Sequence, residues 1–300
     1  MKLSVCITHF NRPDKLGATL ESLARQTRTP DEVFLWDDCS PNDPTKVALA
    51  YRDRFPHFVY HRNDRNLNMP GNLNAVLAQA TGDYIANLHD ADQFDPTLLK
   101  KWESALLGHP RAGLVFCGLA APGRVFLEDL PAFCEGGDFF RRVFVGSSGS
   151  PIWGTVMVRR AVYERHLPFD PQFRNWADVD MWMRICSTDG IAYVREPLIS
   201  LDNSPRSFAW AQFLICHHII FANLYRMAAN REELLRFLDA QRLCTNRCYV
   251  RHLAGRLLRG EARLFLEGFR HARDVFVRLP ALAYQLDAGK TLRLVPAPGA

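Results

Sequence analysis

YIANLHDADQF, residues 84–94, sets a short apolar run directly before a histidine and two aspartates, His89, Asp90 and Asp92. A run of this length and composition reads as a core strand. The acids then mark where the strand leaves the core, because a buried, unpaired carboxylate is too costly to keep. D-x-D in a turn lets both carboxylates reach one cleft, where a divalent ion bridges them to phosphate oxygens. The same spacing also occurs by chance in helix caps, so its meaning depends on the neighbouring strands.

Outward from this stretch, strand and helix alternate. Leu3 to Thr8 reads as a first strand. RPDKLGATLESLARQT follows, with Leu16, Leu20 and Leu23 at helical spacing and Asn11 or Asp14 as the expected cap. EVFLW is a second strand ending at Asp37, then a turn, DDCSPNDP, and a short helix through Ala48 and Tyr51. FVYHR is a third strand. PGNLNAVLAQA has Leu73, Val76, Leu77 and Ala80 on one helical face, with Gly82 as its stop. Beyond the opening stretch, PTLLKKWESALL is a helix with a proline in its first turn, and LVFCG is a fifth strand. The alternation calls for an α/β fold with a mainly parallel central sheet flanked by helices.

Such sheets bind ligands beyond the C-terminal ends of their strands. Three of those ends are polar: Thr8-His9-Phe10-Asn11, Asp37-Asp38-Cys39-Ser40 and His89-Asp90-Ala91-Asp92. A dinucleotide site needs G-x-G-x-x-G after the first strand, but THFNRP has no glycine there, and no G-x-x-x-x-G-K-[ST] loop exists.

Charge divides the chain. The formal net charge is +5, but from Arg226 onward 14 Lys+Arg face 7 Asp+Glu, giving +7 and leaving −2 for the preceding residues. A basic C-terminal region suits a polyanionic neighbour, an anionic membrane surface or a plain solvated face; nucleic acid is not expected. MKLSVCITHF reads as a strand and not a signal peptide. FAWAQFLICHHIIFANLY, residues 208–225, reads as a buried or interfacial helix, since Gln212, two histidines and Asn223 interrupt it. Eight dispersed cysteines form no disulfide framework and suit a reducing compartment. Cys244, Cys248 and His252 share a helix face, where packing is the expected role; zinc would need a fourth ligand.

Four ordered segments carry a resemblance. SVCITHFNRP, FLWDDCSPNDP, NLNMPGNLNAVLAQATGDYIANLHDAD and PFDPQFRNWADVDMWMRI are similar to the motifs of inverting family 2 glycosyltransferases with a GT-A fold. The resemblance covers Leu3 to about Ser207. It implies a nucleotide-sugar-binding and catalytic domain over residues 1–206 and a basic, mainly helical region over 207–300. It also implies a nucleotide-diphosphate sugar donor, by default a UDP-sugar, and a hexosyl transfer with inversion. The acceptor would be a hydroxyl of a growing surface glycan, such as lipopolysaccharide, capsule or another lipid-linked glycan. Location would be cytoplasmic, peripheral on the inner face of the membrane.

The resemblance also assigns residues. Thr8, His9, Phe10, Asn11 and Arg12 would form the first nucleotide-binding turn, with Thr8 and Phe10 against the base. Asp38 would accept the base's hydrogen bond, and Asp37 would orient the loop. Asn74 and Ala91 would belong to the same pocket. Asp90 would approach the ribose or diphosphate, and Asp92, with Asp90, would hold Mg²⁺ or Mn²⁺. Asp178 would be the general base, with Asp180 and Arg184 bracing its helix. His89, Trp153 and Trp176 are candidates for the donor sugar or acceptor, weighed against backbone bonding for His89 and core packing for the tryptophans.

Three positions depart from the family pattern. Ala177 replaces one acid of the usual pair, and Leu73 stands where many members have arginine. The late metal-ligating histidine would fall at Ser204 or Asn203, with Asp202 as a substitute. These departures keep open a degenerate sugar-nucleotide binding module; a nucleotidyltransferase would need a glycine- and arginine-rich first loop. In the C-terminal region, Leu234, Leu235 and Leu238 are expected on one helical face. Arginines among leucines and phenylalanines suit either an anionic membrane or packing on the first domain or a homodimer partner.

Overall fold

The computed structural model describes residues 1–120, 127, 129–147, 150, 152, 154–202 and 209–278. The chain divides into two compact units, Met1–Gly136 with Ile152–Pro205, and Gly137–Pro151 with Arg206–Ala300.

The first unit opens with β1 (Leu3–His9), α1 (Pro13–Ala24), β2 (Glu32–Asp37), α2 (Thr45–Leu49), β3 (Phe58–Arg62), α3 (Asn68–Leu77) and β4 (Tyr84–His89). These strands lie in the order β3-β2-β1-β4, all parallel. Next come β5 (Gln93–Phe94), α4 (Leu98–Gly108), β6 (Ala112–Ala120), β7 (Phe133–Cys134), α5 (Gly136–Val143), β8 (Val156–Arg159), α6 (Arg160–His166), α7 (Ala177–Cys186) and β9 (Gly190–Ser200). The sheet runs β3-β2-β1-β4-β8-β6-β9-β5, with β7 also on β9. The long ladders are parallel; the short strand β8 sits antiparallel between β4 and β6. Its reversal brings the residues just before β8 to the edge where β1, β2 and β4 end.

The predicted apolar faces are the buried ones. Leu16, Leu20 and Leu23 of α1 pack with Leu3, Val5 and Ile7 of β1 and with Trp102 of α4 in one core. Each such side chain contributes about 1.5–3 kcal/mol relative to exposure. The caps differ from expectation. Arg12 occupies the N-cap of α1 without a side-chain bond, because Asn11 takes φ 55° and turns its side chain to Asn42. α3 ends at Leu77, well before Gly82. The α4 helix begins after Thr97, so Pro96 lies just outside it.

The second unit is helical. It contains most of α5, then α8 (Trp210–Met227), α9 (Arg231–Leu258), α10 (Ala262–Arg270) and a π-helical turn, Asp274–Arg278. Asn230 caps α9 by accepting from the Glu233 amide at 2.9 Å. Trp210, Phe213, Tyr249 and Val275 form its core. A Cβ on Gly268 would lie 2.3 Å from the Trp210 ring, so glycine is what lets α10 close on that core. Cys248 and Leu253 pack against the same cluster, and the His252 ring meets Trp210 and Phe213 edge-on. Packing thus accounts for Cys248 and His252 on that face. Leu238 is buried beside Phe237, but Leu235 faces solvent. The predicted buried helix is α8; burial pushes both His217 and His218 down to about 4. Among the described residues, no helix is long and apolar enough to cross a membrane.

Candidate active site

The strand order reverses between β1 and β4, and open α/β sheets bind ligands at such a point. In register, Thr8 lies between Trp36 and His89, and His9 pairs with Asp37. The β1 turn is organised around Asp90. The Phe10 amide donates to Asp90 Oδ2 at 3.1 Å and Arg12 Nη1 to Oδ1 at 3.4 Å. The buried His9 ring places Nδ1 2.8 Å from Asp90 Oδ2, although neither ring nitrogen is aligned for a hydrogen bond. Phe10 itself is 46% exposed, an aromatic ring held at the open end of a core strand.

The second strand end is equally fixed. Asp37 is fully buried and accepts from the Ser40 amide and hydroxyl and from Arg62 Nη1 at 3.0 Å. Its role is to hold the loop. Asp38, 3% exposed, accepts from Leu67 N–H at 2.7 Å and Asn63 Nδ2 at 3.1 Å. Asn11 and Cys39, with φ of 55° and 58°, follow these two strands; Arg174, at 49°, precedes α7. Left-handed non-glycine residues cost on the order of 1–3 kcal/mol and gather at functional sites.

The third strand end carries His89, Asp90 and Asp92. Asp92 Oδ2 accepts from Thr155 Oγ1 at 3.2 Å, and Oδ1 from the Asp202 amide at 3.4 Å. His89 Nδ1 is 3.9 Å from Asp92 Oδ2. Ala91, half-buried, completes the turn. A Cβ added to Gly154 would lie 2.2 Å from His89 Nε2 and 3.4 Å from Asp178 Oδ2, so the absent side chain makes room for both groups.

Asp178 lies in the first turn of α7 with Oδ1 accepting from the Val179 amide at 2.8 Å. Its surface is partly open, yet the protein around it pushes the carboxyl up to about 6, against the opposing pull of His89. Trp176 immediately precedes α7, half-buried, with a buried Nε1 that makes no hydrogen bond among the described residues. Asp180 binds Arg184 Nε at 2.7 Å, and the guanidinium continues to the carbonyls of His166 and Pro168. This pair braces the helix, as the sequence suggested.

Asn74 exchanges two bonds with the Phe169 backbone, at 2.9 and 2.8 Å, and so ties α3 to the segment before α7. Gly154 and Thr155 were not legible as site residues; the only signal was a Gly-Thr pair leading into an apolar strand. Trp153, Asn203 and Ser204 lie outside the described residues.

Asp90 and Asp92 are the carboxylates a divalent cation would meet at this strand end. Both Asp90 oxygens are engaged by the β1 turn. Both Asp92 oxygens likewise accept bonds, at 3.2 and 3.4 Å, and carboxylate oxygens of this kind suit Mn²⁺ or Mg²⁺. Lys15 lies 2.5 Å from Asp202 Oδ1, which directs that carboxylate to an ammonium. Among the described residues no cluster of three or more His, Cys, Asp or Glu forms a cage. Ligand oxygens would have to complete the shell.

The profile of glycosyl transferase family 2 matches residues 4–167, which include all three strand ends. The chain belongs to that family. EpsE of Bacillus subtilis is 27% identical over 190 residues, covering 61% of this chain and 66% of EpsE, so the match spans just under two thirds of that relative. TarS 1–349 of S. aureus, in complex with UDP-GlcNAc, superposes with TM-score 0.65 at 15% identity, covering 100% of this chain and 95% of that one. The mannosyltransferase PcManGT of Pyrobaculum calidifontis, in complex with GDP-Man and Mn²⁺, gives 0.60 at 16% identity, covering 95% and 87%. These likenesses establish that the family 2 glycosyltransferase fold is the fold of this chain.

Proposed function

We propose that this family 2 glycosyltransferase moves a hexosyl group from a nucleotide-diphosphate sugar to a hydroxyl, with inversion at the anomeric carbon. One observation carries the reading: a carboxylate raised to about 6, Asp178, lies across Gly154 from His89, the residue that ends β4 at the switch point. The acceptor hydroxyl attacks the anomeric carbon, its proton passes to Asp178, and the bond to the diphosphate breaks. A base with a pKa near the working pH is what that proton transfer needs. Asp38 and the Phe10 ring would hold the nucleoside, and Asp90 the turn beneath it.

Asp92, with His89 beside it, would hold Mn²⁺ or Mg²⁺, whose positive charge stabilises the departing diphosphate. UDP is the expected nucleotide, a choice favoured by the family and by the UDP-GlcNAc complex of TarS. The acceptor is expected to be a surface or lipid-linked glycan built at the cytoplasmic side of a membrane. The binding-module alternative is disfavoured by the match to the glycosyl transferase family 2 profile.

Titrating UDP, dTDP and GDP with and without Mn²⁺ tests the reading. Mn²⁺ is expected to tighten binding of one nucleotide by about tenfold or more, since charge-assisted contacts contribute about 1.5–3 kcal/mol. Asp92→Ala should remove the Mn²⁺ dependence and leave the metal-free affinity. Absence of metal-dependent binding for all three nucleotides would overturn the proposal.

A further inference from the structure

The outer face of α9 is apolar where a solvated helix would be polar. Leu243, Val250, Ala254, Leu257 and Leu258 recur three, four or seven residues apart and are all exposed, Leu258 at 86%. They lie opposite the buried Phe237, Gln241, Thr245 and Tyr249, so this is a second stripe and not a frayed edge of the core. Arg247 sits within the stripe and Arg251 beside it. α10 repeats the arrangement: Leu266 and Phe269 are 57% and 63% exposed, flanked by exposed Arg263 and Arg270. The π-helical turn adds Phe276 and Val277 beside exposed Arg273 and Arg278.

The charge on this surface is predominantly positive. Between residues 236 and 278 nine arginines are exposed, against one exposed acid, Asp239. Arg242, Arg259 and Arg278 each meet an acid of the same unit. Arg247, Arg251, Arg263, Arg270 and Arg273 form no ion pair among the described residues.

We propose that the outer face of α9 and α10, continued by the π-helical turn, docks on an anionic lipid bilayer. Leucine and phenylalanine side chains enter the headgroup boundary, and arginine heads reach lipid phosphates from stems that lie along apolar surface. A second copy of the chain would bring the same arginines against each other, and like charge opposes that pairing. A soluble partner would have to be both apolar and densely acidic. An anionic leaflet supplies both properties at once. The inference rests on the second unit alone and is independent of the donor site.

Co-sedimentation of the full chain with vesicles decides the matter. Phosphatidylcholine vesicles are compared with vesicles of about one-third phosphatidylglycerol, at roughly 50 mM and 500 mM salt. Binding is expected only to the anionic vesicles and mainly at low salt. Each arginine near the surface contributes about 1 kcal/mol, or about fivefold in partitioning, so Arg247→Ala with Arg251→Ala should weaken binding by about 25-fold. Leu257→Ser with Leu258→Ser should weaken it as well, which a purely electrostatic contact would not show. All four positions are exposed or at the helix surface, and unchanged circular dichroism and melting confirm that the variants fold. No binding of the native chain to anionic vesicles at low salt overturns the proposal. So does a dimer, seen by sedimentation velocity, that the leucine variant dissolves and that leaves vesicles unbound.

Discussion

Asp178→Asn is expected to keep nucleotide binding and lower sugar transfer by about 10²- to 10⁴-fold, the usual contribution of a positioned base. Asparagine keeps the shape of the side chain, and its carbonyl can still accept from the Val179 amide that now donates to Asp178 at 2.8 Å. What it cannot do is take the hydroxyl proton. Transfer measured with the native residue should fall about tenfold per pH unit below about 6, the value to which burial pushes this carboxyl. The substituted protein should lose that acid limb. Transfer at the native rate by Asp178→Asn would remove Asp178 from the reaction.

The same shift has a sign for stability. A carboxyl with a folded pKa of about 6, above its ordinary value of 3.8, favours the folded state while protonated. That contribution is full below the ordinary value and is lost as pH rises through about 6. At pH 7.5 the native protein therefore holds a charge that burial disfavours, and Asp178→Asn should melt at a higher temperature. Below about pH 4 the two proteins should melt together. Stability given up for a poised base is the ordinary relation between an active site and its fold.

The parallel half of the sheet was legible because its chemistry is local. β1, β2 and β4 are near-continuous apolar runs, and α1 and α3 carry leucines at helical spacing, so the motif-bearing strand ends could be placed in order. The reversal at β8 was not. VMVR is four residues long, and its place between β4 and β6 depends on pairings across some 70 residues of chain. Gly154 and Thr155 reach the site only through that reversal. Asn74 shows the same limit from the other side. Its neighbours in sequence put it near the nucleotide, while its bonding partner, Phe169, lies 95 residues away. The proposal of Asp178 as a base came from a motif, but its raised pKa comes from packing that no motif encodes.

Gly154→Ala should lower transfer by about 10²-fold with little change in melting temperature. The new Cβ would stand 2.2 Å from His89 Nε2, well inside van der Waals contact, so the imidazole must retreat by more than 1 Å. A displacement of that size in an active site costs about 10²-fold. The fold tolerates it because the His89 side chain is 36% exposed and has solvent to move into. Asp178 Oδ2, at 3.4 Å from the same Cβ, is in ordinary contact and stays. The pH profile reports the mechanism. His89 pulls the Asp178 carboxyl down against burial, so its withdrawal should move the acid limb to higher pH. His89→Ala should move the limb in the same direction without any added methyl. In the double variant the methyl meets no ring, and Gly154→Ala should then add less than threefold to the loss caused by His89→Ala. A coupling of that size, well over 1 kcal/mol, is what contacting residues show. Full additivity of the two substitutions would mean that the effect of Gly154→Ala does not pass through His89, and an unmoved acid limb in His89→Ala would mean that His89 has no part in setting Asp178.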